Sequence, residues 1–286
     1  GHLIGLNPDF TIMDRGDSED LLNLARTELK LPKSENRFPL NGTCLDIYSR
    51  CINTQQELPR VLEQWFPWCL EHQSRLGELF NLYTETKERQ RVLDFDDLLL
   101  FWNALAADES GARVFRQQFS RILVDEYQDT NVLQAQILKN LCPDGIGLTA
   151  VGDDAQSIYS FRAATVRNIL DFPKDYPGTE LIALEQNYRS TQKILDVTNC
   201  VIAEAAERHH KELWSTRGPG AVPRFVTCAD EDAQCEHVIE RILERREQGV
   251  ALKQQAVLFR ASHHSMALER SEEHTSELQS HHDLVC

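Results

Sequence analysis

Several common features are missing from this 286-residue sequence, and each absence excludes something. No apolar stretch approaches the roughly 18 residues that a helix needs to cross a bilayer, so a membrane-spanning helix is excluded. Basic residues are outnumbered, 30 Lys and Arg against 45 Asp and Glu, for a formal charge of −15. Nucleic acid therefore cannot be held by bulk charge alone, and any contact with it must be local. The eight cysteines include no C-x-x-C pair, which argues for a reducing compartment and against a zinc module. The pairs His209-His210 and His263-His264 have no cysteine at ligand spacing and read as surface residues. Internal repeats and low-complexity tracts are absent. The chain opens at Gly1-His2 without an initiator Met or a charged-then-apolar leader, and reads as part of something longer.

What is present is ordinary globular composition, 41% hydrophobic and 26% charged, at a length that favours two folded units. Up to about residue 92 the apolar positions recur at helical spacing. Leu21, Leu22, Ala25 and Leu29 follow the capping candidates Asp17 and Ser18; Val61, Leu62, Trp65 and Phe66 run up to the helix breaker Pro67; Leu76, Leu79, Phe80 and Tyr83 resume the pattern. These aromatic residues are expected in a core. After Asp94-Phe95-Asp96-Asp97 the texture changes to short apolar runs at 122–124, 148–151 and 181–184, read as buried parallel strands. An amphipathic segment through Leu133, Ile137, Leu138 and Leu141, capped by Thr130 or Asn131, makes the unit β-α-β. Further strands are expected at 224–227 and 256–259, with a helix through Val238, Ile239, Ile242 and Leu243 between them and a loop at 217–223.

Side chains at the carboxyl ends of parallel strands face the crevice that ligands use. Asp125-Glu126 lie at one such end, the arrangement in which a first carboxylate holds Mg²⁺ and a second polarises the water that attacks a γ-phosphate. The next strand runs into Gly152-Asp153-Asp154-Ala155-Gln156 and then Tyr159, Phe161 and Arg162. Gln156 can sense a phosphate oxygen. π-faces beside a cation suit base stacking, although Tyr159 and Phe161 could equally fill core. A third run leads to Tyr188-Arg189-Ser190-Thr191, where Ser190 or Thr191 can cap the helix through Ile194, Val197, Val201 and Ala205. Arg189 at that corner can stabilise charge on a transferring phosphoryl group, or simply pair with a nearby carboxylate.

Three strand-end motifs in this order resemble the UvrD/Rep/PcrA family of superfamily 1 DNA helicases. Residues 124–130 look like its motif II, 151–162 like motif III and 184–191 like motif IV, while 94–99 and 257–260 also fit. The resemblance implies an α/β fold of the P-loop NTPase (RecA-like) kind, with incomplete parallel-sheet motor domains and an inserted all-helical subdomain. Residues 1–92 would be part of that helical insertion, 93–178 the C-terminal part of the first motor domain and 179–269 the start of the second. Residues 270–286 are similar to the translation of a common sequencing adapter and are set apart as a non-native tail. The implied cofactors are ATP and Mg²⁺, and the implied partners are single-stranded DNA and duplex junctions, in the bacterial cytoplasm. On matched positions Asp125 would be the Mg²⁺ carboxylate, Glu126 the general base and Gln156 the γ-phosphate sensor. Tyr188 would stack on adenine, Arg189 would contact the γ-phosphate, and Tyr159, Phe161 and Arg162 would contact single-stranded DNA. The alternatives are the helicase part of a RecB- or AddA-like helicase-nuclease, and a non-catalytic DNA-binding protein.

Two departures stand out. Ala163-Ala164 occupies a place where Gly-Ala is frequent in the family, and no G-x-x-x-x-G-K-[ST] phosphate loop occurs anywhere in the sequence. Without that loop and its Lys, the acids Asp125, Glu126, Asp129, Asp153 and Asp154 would repel a triphosphate. The polypeptide as written is therefore expected neither to hydrolyse ATP nor to unwind DNA. A DNA-stimulated ATPase in the purified chain that Glu126→Gln abolishes would overturn this.

Overall fold

The computed structural model describes residues 5, 9–31, 38–266 and 268; the opening Gly1-His2 and the tail 270–286 lie outside the described residues. Two units are formed, one by residues up to 189 together with 198–216, the other by 190–197 together with 217 onward.

In the first unit the apolar spacing yields helices α1 (Arg15–Glu28), α2 (Asn41–Thr54), α3 (Leu58–Trp65) and α4 (Gln73–Gln90). The cap of α1 is Asp14, not Asp17 or Ser18 as expected. Asp14 accepts from the Asp17 amide at 2.9 Å while the Asp17 carboxylate accepts from the Asp14 amide at 3.3 Å, so Asp17 is the return half of a capping box. Pro67 ends α3 as expected, because it has no N–H to continue the ladder, and the chain turns through a 3₁₀ segment, Pro67–His72, into α4. Leu22, Ile47, Val61, Leu62, Leu76, Leu79 and Tyr83 are fully buried together. At about 1.5–3 kcal/mol for each such side chain, their burial is the main stabilising term here. Trp65 departs from the expected core stripe: it is 44% exposed, with the Arg50 guanidinium 4.1 Å above its ring. A short parallel pair, β1 (Thr11–Ile12) with β2 (Val92–Leu93), brings the two ends of the helical region side by side.

Beyond β2, Asp94 caps α5 (Phe95–Ala107) in a capping box with Asp97. Both carboxylates also hold a buried ammonium: Lys87 Nζ donates to Asp94 Oδ2 at 2.7 Å, to Asp97 Oδ1 at 2.8 Å and to Tyr48 Oη at 3.2 Å. Tyr83 Oη donates to the same Asp94 oxygen at 2.9 Å. Burial works against the Lys87 charge, but Tyr48, Asp94 and Asp97 outweigh it and hold its pKa above the ordinary lysine value. Helix α6 (Glu109–Gln118) follows.

The expected β-α-β unit is present as β3 (Ile122–Val124), α7 (Val132–Leu141) and β4 (Leu148–Ala150), with parallel register Ile122 to Leu148, Leu123 to Thr149 and Val124 to Ala150. Asn131 is the cap of α7, with Gln134 completing a capping box. Leu133, Ile137 and Leu141 turn inward. Two short helices, α8 (Arg167–Leu170) and α9 (Phe172–Asp175), follow β4.

The expected strands at 181–184, 224–227 and 256–259 are not formed among the described residues; these segments have no ladder, and Leu184, Phe225 and Leu258 are exposed. An apolar run marks a segment able to be a strand, but a strand exists only through hydrogen bonds to a neighbour, and these runs find none. Near the first of them a single parallel bridge joins Gln186 to Trp214. Helix α10 (Gln192–Ala203) runs through the division between the units. In the second unit the expected loop at 217–223 receives the first amides of α10: Gln192 N donates to Gly218 O and Lys193 N to Pro219 O, both at 3.0 Å. Helix α11 (Glu231–Glu247) starts from an Asp230 cap, and Gln255 reaches back to its Ile242 carbonyl at 3.2 Å.

Replacing Lys87 by Met would leave two buried carboxylates without their cation. Equilibrium denaturation is expected to show a loss of about 3–5 kcal/mol. A loss below about 1 kcal/mol would place the pair among surface ion pairs instead.

Candidate nucleotide and DNA site

At the end of β3 the chain leaves the ladder through two exposed acids. Asp125 Oδ1 accepts from the Glu126 amide at 3.0 Å, and Glu126 itself adopts left-handed backbone, φ 51°. A β-carbon resists that conformation, so the neighbours must hold it there. They do so through Tyr127, whose amide donates to Val151 O at 2.9 Å, and through Gln128. The Gln128 side chain is 1% exposed; its Nε2 donates to Glu126 Oε2 at 2.7 Å and its Oε1 accepts from the Asp153 amide at 3.0 Å. One amide thus joins the loop after β3 to the loop after β4. The close approach requires Gly152, where a Cβ would sit 2.6 Å from Gln128 Oε1 and 2.8 Å from Ile169 Cδ1.

Burial and the Glu126 carboxylate push the Asp129 pKa up, and Asp129 Oδ1 is buried without a hydrogen-bond partner. Among the described residues no three acidic, imidazole or thiol groups converge as a metal cage. Mg²⁺ needs none: it takes one or two carboxylates and completes its shell with phosphate oxygens and water. Exposed Asp125 at a strand end suits such a partial site.

After β4, Asp153 organises the loop. Its Oδ1 accepts from the Ala155 amide at 3.0 Å, its Oδ2 from Gln156 Nε2 at 2.8 Å, and it is ion-paired with Lys211. Burial opposes the Asp153 charge, but Gln156 and Lys211 more than offset this and hold its carboxyl below the usual range. Lys211 also lies 3.2 Å from Asp154, whose other oxygen accepts from the His209 amide at 3.2 Å. The expected cluster of five bare acids is therefore corrected: two of them are compensated by Lys211. His209 is likewise not a surface residue as expected; it is half-buried and its Nε2 is 3.0 Å from the Ile169 carbonyl.

Tyr159, Phe161 and Arg162 lie on the same loop. Tyr159 and Phe161 are 37% and 64% exposed, with ring centroids 5.6 Å apart, and Arg162 Cζ lies 5.4 and 5.6 Å from the two centroids. The alternative that these rings fill core is thereby set aside. Tyr188 is 73% exposed, its hydroxyl donating to Gln186 Oε1 at 2.9 Å, and Arg189 is exposed, its amide donating to Asn187 Oδ1 at 2.9 Å. Their turn is tied to 212–214 through Asn187 N to Trp214 O at 2.8 Å and Glu212 N to Glu185 Oε1 at 2.9 Å. The segment 209–214 thereby bridges Asp153 and Asp154 on one side and the Tyr188 turn on the other.

Two family descriptions match this chain in sequence order: the UvrD/REP helicase N-terminal domain over residues 1–177 and the UvrD-like helicase C-terminal domain over 182–275. The chain belongs to the UvrD/REP helicase family. It is 35% identical over 277 residues to the ATP-dependent DNA helicase PcrA of Leuconostoc citreum, covering 95% of this chain and 36% of that protein. It is 37% identical over 278 residues to the ATP-dependent DNA helicase UvrD1 of Mycobacterium bovis, covering 93% and 35%. PcrA of Staphylococcus aureus is 32% identical over 271 residues. The chain spans about a third of the length of these relatives.

In this UvrD/REP chain the departure at Ala163 has a backbone consequence: φ is 65°, a conformation that costs alanine strain which glycine escapes. Sequence reasoning missed Gln128, His209 and Lys211. A glutamine among three acids within 125–129 was the available signal for the first; the other two act across more than 50 positions and gave none.

Gln128→Glu keeps shape and the acceptor but replaces the amide donor with a carboxyl facing Glu126. Burial and that charge raise the folded pKa of the introduced group above its unfolded value near 4.3. The variant should accordingly lose stability as pH rises from about 4 to 7, its melting midpoint falling progressively below that of the parent chain. A gap independent of pH would refute the contact with Glu126.

Proposed function

We propose that this chain carries the catalytic acids and the single-stranded DNA contact loop of an ATP-dependent DNA helicase that translocates 3′ to 5′ in repair or replication, in the bacterial cytoplasm. In this reading 1–92 belong to a helical insertion, 93–178 to the first motor domain and 179–269 to the second. The observation that carries it is the exposed cluster of Tyr159, Phe161 and Arg162 on the loop that also bears Gln156, joined through Gln128 to Glu126. A loop reading both a phosphate and a base is what conversion of hydrolysis into movement requires.

Each residue then has a physical task. Asp125 would hold Mg²⁺, which when bound neutralises charge on the transferring phosphoryl group. Glu126, oriented by Gln128, would take the proton of the attacking water. Gln156 would exchange its bond to Asp153 for one to the γ-phosphate. Tyr188 would lie against the adenine and Arg189 would meet the γ-phosphate oxygens. On the DNA side, Tyr159 and Phe161 would offer stacking faces and Arg162 a cation for the backbone, at about 1–3 kcal/mol per stacked base. Such stacking tolerates any sequence and needs little net positive charge, which suits a chain of formal charge −15.

Phe161→Ala in the 286-residue chain should weaken oligothymidylate binding by roughly 1–3 kcal/mol with little change in melting midpoint. If the ring were instead structural, the same change would cost about 3–5 kcal/mol of folding stability and leave the folded fraction binding normally. In a longer protein that includes a phosphate loop, Glu126→Gln should lower ATP turnover by about 10²–10⁴ while nucleotide and DNA still bind; retained turnover would remove Glu126 from the base role.

A further inference from the structure

Arg50 lies in α2, outside every motif, yet it reaches the DNA-contact loop. Its Nη2 donates to the Phe161 carbonyl at 2.7 Å and to the Ser160 carbonyl at 3.3 Å, the residue is 8% exposed, and its Cζ lies 4.1 Å over the Trp65 ring. Asn53, three positions on and so on the same face of the helix, donates to Asp96 Oδ1 at 2.7 Å and accepts from Asn131 Nδ2 at 2.7 Å. Asn131 in turn bridges Ala164, and Thr165 N donates to Thr130 O at 3.1 Å. The α2 face thus grips the aromatic loop at 160–161 directly and, through Asn131, at its far end.

A guanidinium buried this far must have its charge answered. Here the answer is two backbone carbonyls and a π-face, with Asp46 adding a favourable field, while burial pushes the Arg50 pKa down. Carbonyl oxygens are fixed points of the chain, so holding them fixes where the side chains on either side project. The loop needs such a hold. Just beyond it, Ala163 takes left-handed backbone at φ 65°, a conformation that persists only where the surroundings over-determine it.

We propose that Arg50 is the positioning residue of the DNA-contact loop: it holds the Ser160 and Phe161 carbonyls so that Tyr159, Phe161 and Arg162 form a platform in advance of DNA, without itself meeting a phosphate. This rests on the reading of 159–162 as the single-stranded DNA contact. Preorganisation raises affinity by removing the cost of ordering side chains on binding. Arg50→Lys keeps the charge but cannot lie flat on Trp65 and span both carbonyls.

The test uses the 286-residue chain and fluorescent oligothymidylate, with anisotropy titrations across a salt series and amide exchange measured on the DNA-free protein. Arg50→Lys should weaken binding about tenfold, the ordering of roughly two aromatic side chains. The slope of log affinity against log salt should not change. Exchange of the Arg162 and Ala163 amides, which donate to the Tyr159 and Ser160 carbonyls, should quicken while the α2 amides keep their protection. Unchanged affinity with unchanged loop exchange overturns the proposal. So does a slope reduced by about 0.7 in Arg50→Ala, which marks a direct phosphate contact. Should Arg50→Lys fail to fold, Trp65→Leu removes only the stacking partner, and unaltered exchange at 162 and 163 in that variant is equally adverse. Phe161→Ala separates the two readings. If it binds as tightly as the parent chain, the DNA contact itself is wrong; if it binds weakly while Arg50→Lys does not, only the role of Arg50 fails.

Discussion

One ammonium taken out of water, that of Lys87, sets the geometry on which both loops depend. Its burial carries a desolvation penalty that only several partners at once can offset, and those partners come from α2, from α4 itself and from the start of α5. Because Asp94 and Asp97 are also the two halves of a capping box, the first turn of α5 is specified by the ion cluster and the helix terminus together. Tyr48 carries the constraint to α2. Two and five residues after Tyr48 on α2 come Arg50 and Asn53, which reach the loop after β4 and the cap of α7. The helical part is thus a frame that fixes where the loops after β3 and β4 lie. Burying hydrophobic side chains in place of the cluster could stabilise as much.

Charge within the site is sorted. Lys211 compensates Asp153 and Asp154, and the Gln128 amide donates to Glu126, while Asp125 and Glu126 remain exposed at the β3 end and Asp129 keeps an unsatisfied oxygen. Negative potential is therefore concentrated at one strand end rather than spread over five acids. In the function proposed, that is where a cation and a phosphate would have to be received. The aromatic loop stands apart from it, with Arg162 as its own cation. A net charge that disfavours nucleic acid overall is compatible with a DNA contact built from π-faces, because stacking depends on exposed ring area and not on long-range field.

The sequence made some of this legible and not the rest, for physical reasons. Helix periodicity is a property of one segment, so α1, α4, α7 and α11 were readable along with Pro67 as a break and Asn131 as a candidate cap. Two strands of the β-α-β unit were readable because a short apolar run bounded by polar residues is local as well. Whether the runs at 181–184, 224–227 and 256–259 become strands depends on partners distant in sequence, and pattern carries no such information. The same limit applies to the site. Asp125, Glu126, Gln156, Tyr159, Phe161 and Arg162 sit in compact motifs, whereas Lys211 and Arg50 act across 57 and 111 positions. The cap of α1 was missed more narrowly: Asp14 and Asp17 share one box, and residue type alone does not say which carboxylate lies at which end of it.

Glutamine at 156 has an alternative partner already in place, and this bears on how a nucleotide could alter the loop. Its amide rests on Asp153, which also has Lys211 and the Ala155 amide to satisfy it. Giving up that bond leaves no bare charge behind, and because its acceptor is an ionised carboxylate the loss is about 1.5–3 kcal/mol. A phosphate oxygen is a charged acceptor of the same kind as the carboxylate and can supply about that much in return. The loop is short: four residues separate Gln156 from Phe161, whose carbonyl Arg50 holds, and the Asp153 amide is fixed by Gln128. A turn pinned at both ends cannot absorb a shift at Gln156 by sliding as a whole. The displacement must appear between the pins, in the dihedrals of 157–160, where Tyr159 is carried, so the rigidity of the two anchors is what would allow a change at the phosphate to reach the stacking face.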